Sequence, residues 1–355
     1  MSDLDFTVTS QSGPYEVTFE SGVLDSMVGL QQSIVIIDQR VADLYSDRFA
    51  VDLRDARTVF VLASEETKSL ERLPYFVEQL VALDVRKNDG LIAIGGGVTQ
   101  DIVAFLATVM FRGMSWSFIP TTLLAQADSC IGSKSSINAA GTKNLVGTFR
   151  APTSVSIDVD FLKTLSEQDV LSGIGEMLKV HAIAGPAEFD AISSEYEVLL
   201  SDTTAMQSAV HRSLLIKRNL IQVDEFDRGP RNVMNYGHSF GHAIEIATDY
   251  EIPHGIAVTI GMDMANFVAA ELGFSSADQF KRMHSVLQRN SAGFASVDIR
   301  REPLMTALRR DKKNTATHLR LVLPDTNGHI GMVAVAPDVA LEAAVNSYLS
   351  TGREL

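Results

Sequence analysis

The chain has 355 residues, a hydrophobic fraction of 46% and a formal net charge of −14. This length favours two domains, and the acidic charge opposes general nucleic-acid binding, which depends on a basic surface. The apolar runs fall short of the roughly 20 residues that a membrane-spanning helix needs, and the N-terminus lacks the layout of a secretion signal.

Residues 1–158 read as strands that alternate with helices. FTVTS and YEVTF predict a hairpin, and SIVIID, TVFVLA, LIAI and SWSFIP predict short buried strands. Helical spacing follows in VADLYSDRF, in SLERLPYFVEQLVALDV, where Pro74 is expected to delay or kink the start, and in VTQDIVAFLATVMF. This order predicts a Rossmann-like α/β domain with a mainly parallel sheet.

In residues 159–355, long segments with the apolar spacing of a helix dominate. These segments are EQDVLSGIGEMLKVHAIA, AMQSAVHRSLLIKRNLIQVDEF, GHSFGHAIEIATDY and HGIAVTIGMDMANFVAAELG. Only LRLVL and GMVAVA, near the end, predict strands. We therefore predict a mainly α-helical second domain over residues 159–355.

Two segments of the first domain carry residues that suit anion binding. In LIAIGGGVTQD, glycines between a strand and a helix let backbone amides approach a phosphate, although the segment is not a GxGxxG and a tight turn is the simpler reading. Residues 112–147 are dense in small and polar side chains, and their lysines and arginine suit an oxyanion. The single cysteine, Cys130, is expected to be packed rather than nucleophilic, and it favours a reducing, cytoplasmic location.

Three of the eight histidines lie close together, as His238, His242 and His254. His238 and His242 would be one helical turn apart, a spacing that can hold a metal, but spacing does not say which histidines bind it or which carboxylate joins them. Glu176 and Lys179 would share one helix face, either as a surface ion pair or as an inward-facing carboxylate that needs a cation.

Six blocks in order resemble the dehydroquinate synthase family of sugar-phosphate cyclases: GGGVTQD, FRGMSWSFIPTTLLAQADSCIGSK, GTKNLVGTF, GEMLKV, RNVMNYGHSFGHAIE with PHG, and RRDKKN. The resemblance is close over roughly residues 88 to 330. It implies an NAD-binding α/β domain over 1–158, a helical metal- and substrate-binding domain over 159–355, and a homodimer. The divalent metal of the family is usually zinc and can be cobalt.

The resemblance also implies a role for each matching residue. Glu176, His238 and His254 match the metal ligands, and His242 matches a histidine that contacts the substrate phosphate and not the metal. Other contacts at the phosphate end are implied for Arg112, which would reach in from the neighbouring subunit, and for Lys134, Asn144, Asn235 and Lys313 or its neighbour Lys312. The substrate carboxylate would be held by Lys217 and Arg231, and the reacting ring would be bordered by Asp128, Lys179 and Asp227. The residues implied for NAD are Asp38, Glu65, Lys68, Gly96, Gly97, Asp101, Thr121, Thr122 and Lys143.

The activity that the resemblance implies converts a heptulosonate phosphate to 3-dehydroquinate and phosphate in the shikimate pathway. NAD would oxidise the substrate transiently, phosphate would be eliminated, and re-reduction would precede an intramolecular aldol cyclisation. Two alternatives stay open. One is another cyclase of secondary metabolism, of the 2-deoxy-scyllo-inosose synthase, sedoheptulose 7-phosphate cyclase or aminodehydroquinate synthase type. The other is a metal-dependent polyol dehydrogenase, which would release NADH.

The chain departs from the family pattern at five positions that border the implied site. Ile256 replaces the glutamate of the usual HGE, so we expect His254 to lack a polar partner that orients its ring. Ser133 and Ser136 replace glycines, Asp227 replaces a longer glutamate, and Arg40 stands where an asparagine contacts the nucleotide ribose. These changes are expected to reshape the substrate pocket or the nucleotide contact.

Overall fold

The computed structural model describes residues 2–25, 33–49, 53, 57–311, 314, 315 and 317–354. It divides into two compact units, Met1–Ser166 with Val210–Asp227, and Glu167–Ala209 with Arg228–Leu355. This division differs from the predicted boundary at residue 158, because Val210–Asp227 packs on the first unit. The His211 ring, for example, contacts Phe6 and Phe19, with centroids 5.8 and 5.6 Å apart.

The first unit is an α/β structure, as predicted. Its strands are β1 (Phe6–Val8), β2 (Tyr15–Phe19), β3 (Ser33–Asp38), β4 (Thr58–Val61), β5 (Gly90–Gly95), β6 (Ser115–Pro120), β7 (Lys134–Ala139), β8 (Thr142–Phe149) and β9 (Ser154–Ile157). Its helices are α1 (Gln39–Leu44), α2 (Leu73–Ala82) and α3 (Gly97–Val109), and Pro74 lies in the first turn of α2. The predicted hairpin and the four predicted strands are confirmed.

Seven of these strands form one sheet in the order β1-β2-β9-β6-β5-β3-β4. Every neighbouring pair is parallel except the β1–β2 hairpin. Ile34, Val35, Ile36 and Ile37 are all fully buried, so both faces of β3 are covered. That burial is the reason for its continuous apolar run. β7 and β8 form a separate antiparallel hairpin, which the polar sequence did not predict.

The second unit is mainly helical, as predicted. Its elements are α4 (Glu167–Ala184), α5 (Pro186–Ser194), α6 (Tyr196–Leu199), α7 (Thr203–Val223), α8 (His238–Ala247), α9 (His254–Glu271), α10 (Ala277–Asn290), α11 (Arg301–Arg309), β10 (Leu319–Pro324), β11 (Ile330–Val335) and α12 (Val339–Ser350). Helix α7 begins in this unit and ends in the first. Residues 255–269 of α9 are all buried, which makes α9 the central helix of the core. Within the described part of the chain, no helix is long and apolar enough to cross a membrane.

Candidate active site

Three helices of the second unit bring the predicted metal ligands together. Glu176 lies on α4, His238 is the first residue of α8, and His254 is the first residue of α9. Glu176 Oε1 lies 3.6 Å from His238 Nε2 and 3.4 Å from His254 Nε2. One carboxylate oxygen and two imidazole nitrogens therefore converge, and these are ligand atoms that zinc accepts.

His242 lies beside this group and is exposed. Its ring centroid is 5.4 Å from that of His238 and 5.7 Å from that of His254. One ligand nitrogen from each of the three histidines can be chosen so that all lie within 4.8 Å of one another. The geometry thus also permits a three-histidine site, and the assignment of His242 to the phosphate stays a prediction.

Glycines next to the ligands explain how the three helices come so close. A Cβ atom at Gly175 would lie 2.3 Å from the Gly255 carbonyl oxygen, and one at Gly255 would lie 1.9 Å from that of Ser172. A Cβ atom at Gly237 would lie 2.7 Å from the Val258 carbonyl oxygen. Backbones therefore touch where α4 meets α9, and where the residue before α8 meets α9. Glu176, His238 and His254 each directly adjoin one of these glycines.

A Gly255→Ala variant is expected to lose about 1–3 kcal/mol of unfolding free energy, because the added methyl group would force α4 and α9 apart. Urea unfolding would measure the loss, and metal affinity should fall with it. Gly293→Ala is the matched control, since a Cβ atom there would meet nothing within 4 Å. Equal stability of the two variants would contradict this account of the helix contact.

The charges at this site favour an ionised carboxylate. Burial opposes ionisation of Glu176, but Lys179, His238 and His254 outweigh it and hold the pKa of Glu176 well below its usual value. Burial, reinforced by Lys179, lowers the pKa of His238 well below its usual value. Burial opposes the charge on His254, but Glu176 and Glu245 raise its pKa to about 9.

The donor set fits a divalent cation. Glu176 is buried, and Lys179 Nζ lies 2.5 Å from its Oε2. Glu176 Oε1 accepts no hydrogen bond of good geometry from the described residues. A buried oxygen without such a bond is costly, and a metal between Glu176, His238 and His254 would satisfy it.

Residues predicted to bind NAD lie at the carboxyl ends of three adjacent parallel strands. Asp38 ends β3, Gly96 and Gly97 follow β5, and Thr121 and Thr122 follow β6. Burial, as the largest influence, raises the pKa of Asp38. A Cβ atom at Gly97 would meet nothing closer than Ser129 Oγ at 4.0 Å, so there is space beside the first residue of α3. These strand ends and this helix start fit a dinucleotide, which binds at such positions in α/β sheets.

The other predicted NAD residues form a polar network in which Asn144 takes part. Lys68 Nζ lies 3.2 Å from Asp101 Oδ2, 3.1 Å from Asn144 Oδ1 and 3.4 Å from Glu65 Oε1. Ser136 donates to Asp101 and Asn144, each at 3.0 Å. Burial raises the pKa of Asp101 in spite of Lys68. Asn144, predicted at the phosphate end, thus contacts residues that are predicted to bind NAD, while Lys143 beside it is exposed.

Two ion pairs join the predicted substrate residues of the first unit. Lys217 Nζ lies 2.6 Å from both the carboxylate and the carbonyl oxygen of Asp128, and both side chains are largely buried. Asp128 belongs to a π-helix, Ala125–Ser129. Lys134 pairs with Asp227, whose φ is +57°. Cys130, next to this π-helix, is fully buried, and burial raises its pKa to about 12, so it is not a nucleophile.

The remaining residues predicted to bind the substrate differ in their exposure to solvent. Arg231 is buried and Asn235 is half-buried, both in a 3-10 helix just before α8. Arg112 is exposed at a φ of +63°, and Lys313 lies outside the described residues. The sequence reading missed Glu245, which approaches His254. Its position on α8, three residues after His242, is a helix-face spacing that could have indicated it.

Comparisons with known proteins are consistent with this arrangement. Residues 58–172 match the model of the 3-dehydroquinate synthase N-terminal domain, and residues 173–314 match that of its C-terminal domain. The chain is 38% identical over 295 residues to a 3-dehydroquinate synthase from Syntrophotalea carbinolica, a match that covers 81% of this chain and 82% of that protein.

Two solved structures share the fold. One is a 2-deoxy-scyllo-inosose synthase in complex with carbaglucose-6-phosphate, NAD⁺ and Co²⁺, with a TM-score of 0.83 and 21% identity over 96% of this chain and 99% of that one. The other is a 2-epi-5-epi-valiolone synthase from Streptomyces hygroscopicus with NAD⁺ and Zn²⁺ bound. Its TM-score is 0.81, with 25% identity over 94% of this chain and 96% of that one.

Proposed function

Because this chain belongs to the 3-dehydroquinate synthase family, we propose that it converts 3-deoxy-D-arabino-heptulosonate 7-phosphate to 3-dehydroquinate and phosphate. The reaction makes the enzyme a carbon–oxygen lyase that acts on phosphate. The observation that carries the proposal is the convergence of Glu176, His238 and His254, which match the family's metal ligands by resemblance, from three helices of this chain.

The proposed cofactors are NAD and a divalent metal, zinc or cobalt. When bound, NAD would take up and return a hydride, and the metal would lower the pKa of the substrate hydroxyl. Gly96, Gly97 and the ends of β3, β5 and β6 would hold the nucleotide in the first unit. The solved relative that is 25% identical carries NAD⁺ and Zn²⁺, which supports both cofactors.

The substrate carries two anionic groups, and the proposal assigns basic residues to each. Lys217 and Arg231 would hold the carboxylate, and they are buried, so their charge is poorly screened by water. His242 would contact the phosphate, together with Arg112, Lys134, Asn144, Asn235 and Lys313. Lys179 and the carboxylates of Asp128 and Asp227 would orient the hydroxyl groups of the ring. Holding the substrate at both ends reduces the entropic cost of the ring closure.

We also propose a homodimer that works in the cytoplasm within the shikimate pathway. Exposed apolar side chains near Arg112 support the dimer. Phe111 and Val109 are 43% and 48% exposed, and Phe149, on the hairpin that contacts α3, is 50% exposed. A second copy would cover such residues, whose exposure is otherwise unfavourable. The left-handed backbone at Phe111 and Arg112 is the kind of strain found at functional positions.

An assay of the purified enzyme with catalytic NAD, zinc or cobalt, and the heptulosonate phosphate would test the function. Release of phosphate with formation of dehydroquinate, and no net NADH, is expected. Phosphate release only from glucose 6-phosphate or sedoheptulose 7-phosphate would defeat the proposal in favour of another cyclase. Net accumulation of NADH would identify a polyol dehydrogenase.

A further inference from the structure

We propose that Glu245 is a positioning residue that orients His254 for metal binding. Its carboxylate accepts the proton on Nδ1 of His254, and this fixes the tautomer whose Nε2 is free to bind the metal. The inference rests on the metal site of the proposed function. It adds a residue that stands outside the sets assigned above to metal, substrate and NAD.

The two ring nitrogens of His254 face two different carboxylates. Glu245 Oε2 lies 3.4 Å from Nδ1, and Glu176 Oε1 lies 3.4 Å from Nε2. Since Glu176 is the proposed co-ligand, Nε2 is the nitrogen that points to the metal. Nδ1 must then carry the proton, and a carboxylate is the strongest acceptor for it.

His238 has a comparable contact from the backbone. Its Nδ1 lies 3.3 Å from the carbonyl oxygen of Tyr236, while its Nε2 faces Glu176. Both histidine ligands therefore present Nε2 to the same oxygen and Nδ1 to an acceptor. The two acceptors differ, because His238 has a neutral carbonyl and His254 has a carboxylate. Metal-bound histidines commonly have one or the other.

The backbone between Glu245 and His254 holds the two residues in place. The Tyr250 amide donates to the Glu245 carbonyl oxygen at 2.7 Å, and the chain turns through left-handed residues Asp249 and Tyr250 before α9 begins. Glu245 is buried, and α8 and α9 are closely packed at Gly241, where a Cβ atom would lie 3.1 Å from the Ala257 carbonyl oxygen. The carboxylate is thus fixed beside the imidazole by rigid elements and a short connection.

The contact between Glu245 and His254 bears on the expected effect of Ile256. The family resemblance leads one to expect an acidic side chain there, and its loss was expected to leave His254 without a polar partner. Ile256 is fully buried and offers no acceptor. Glu245 supplies the acceptor from α8, so the expectation that His254 has no such partner is wrong.

The test is metal affinity, which does not require turnover. Glu245→Ala should bind Co²⁺ about 10- to 100-fold more weakly than the parent in chelator competition. Its visible Co²⁺ absorption band should also change shape, since the ring of His254 would be free to turn. Glu245→Gln is isosteric and can still accept the Nδ1 proton, so its loss should be smaller and its spectrum close to that of the parent. Glu251→Ala, an exposed carboxylate on the same connection, should change nothing.

The possible outcomes separate this inference from the proposed function. Parental Co²⁺ affinity and spectrum in both Glu245 variants would overturn the positioning role, whatever the substrate proves to be. Weakened binding in Glu245→Ala, in an enzyme that forms no dehydroquinate, would support the role and defeat the substrate assignment. A parent enzyme that binds neither Co²⁺ nor Zn²⁺ would overturn both. If Glu245→Ala fails to fold, Glu245→Leu decides, because it nearly keeps the size of the side chain and offers no acceptor to Nδ1, and a parental Co²⁺ affinity and band shape in that variant would overturn the role.

Discussion

A His238→Ala variant is expected to purify without a divalent metal and to lose about 10³-fold or more in kcat/KM, since a metal supplies several kcal/mol of transition-state stabilisation. His238 contributes one of the two imidazole nitrogens near Glu176 Oε1, and the glycine contacts leave the helices little freedom to compensate. Elemental analysis of the purified protein would measure the metal, and phosphate release would measure the activity.

His242→Asn is the matched comparison for that experiment. If His242 contacts the substrate phosphate, the variant should keep a full complement of metal and lose about 10- to 100-fold in kcat/KM, the size of one charge-assisted hydrogen bond. A variant that loses the metal instead would show that all three clustered histidines are ligands, which their geometry permits. A His238 variant that retains the metal would defeat the proposed ligand set itself.

A Lys217→Met variant is expected to lose about 3–5 kcal/mol of unfolding free energy, because it removes the ammonium group that lies against the buried Asp128 carboxylate. The side chains are only 7% and 11% exposed, so water cannot replace the lost contact. Urea unfolding would measure the change, with both transitions recorded because the chain has two units. The variant should also bind the substrate more weakly if Lys217 holds the carboxylate.

Lys134→Met controls for the loss of a lysine in the same unit. Lys134 is 43% exposed in its pair with Asp227, so its replacement should cost no more than about 1 kcal/mol, although activity should still fall. The double variant Asp128→Asn with Lys217→Met should recover much of the lost stability, because both charges of the buried pair are then removed together. A Lys217 variant as stable as the Lys134 variant would contradict the structural role of the buried pair.

The elements that the sequence predicts best are those whose burial is evident from a run or a periodic pattern of apolar residues within the element itself. The apolar runs of β3 and β5 and the long apolar pattern of α9 are local signals, and all three elements are confirmed. The hairpin of β7 and β8 was missed because β8 is largely exposed, and because one of the alternating buried positions of β7 is the polar Ser135, so neither strand shows a clear apolar alternation. The placement of Val210–Asp227 in the first unit depends on contacts such as Lys217 with Asp128, which no local pattern records.

The candidate site likewise combines features that local sequence patterns predict with contacts that they do not predict. Histidine spacing alone suggested that His238 and His242 share a metal, and only the family resemblance brought in Glu176 from α4. In the structure, Glu176, His238 and His254 lie together, and Glu245 contacts His254. Helix packing brings these residues together, and their separation along the chain does not indicate it. The contact of Asn144 with Lys68 joins residues far apart in sequence, and no local pattern predicts it.

The discontinuous first unit has a consequence for the order of events on the ribosome. When Ser166 has been synthesised, the unit still lacks Val210–Asp227, and Asp128 has no Lys217 to meet. By the time residue 227 has been added, α4, α5 and α6 of the second unit have already been made. Domains made in order commonly fold from the N-terminus during synthesis. Here the N-terminal unit can be completed only after part of its successor has emerged, so nascent chains should show late protection of β1 and the π-helix against protease.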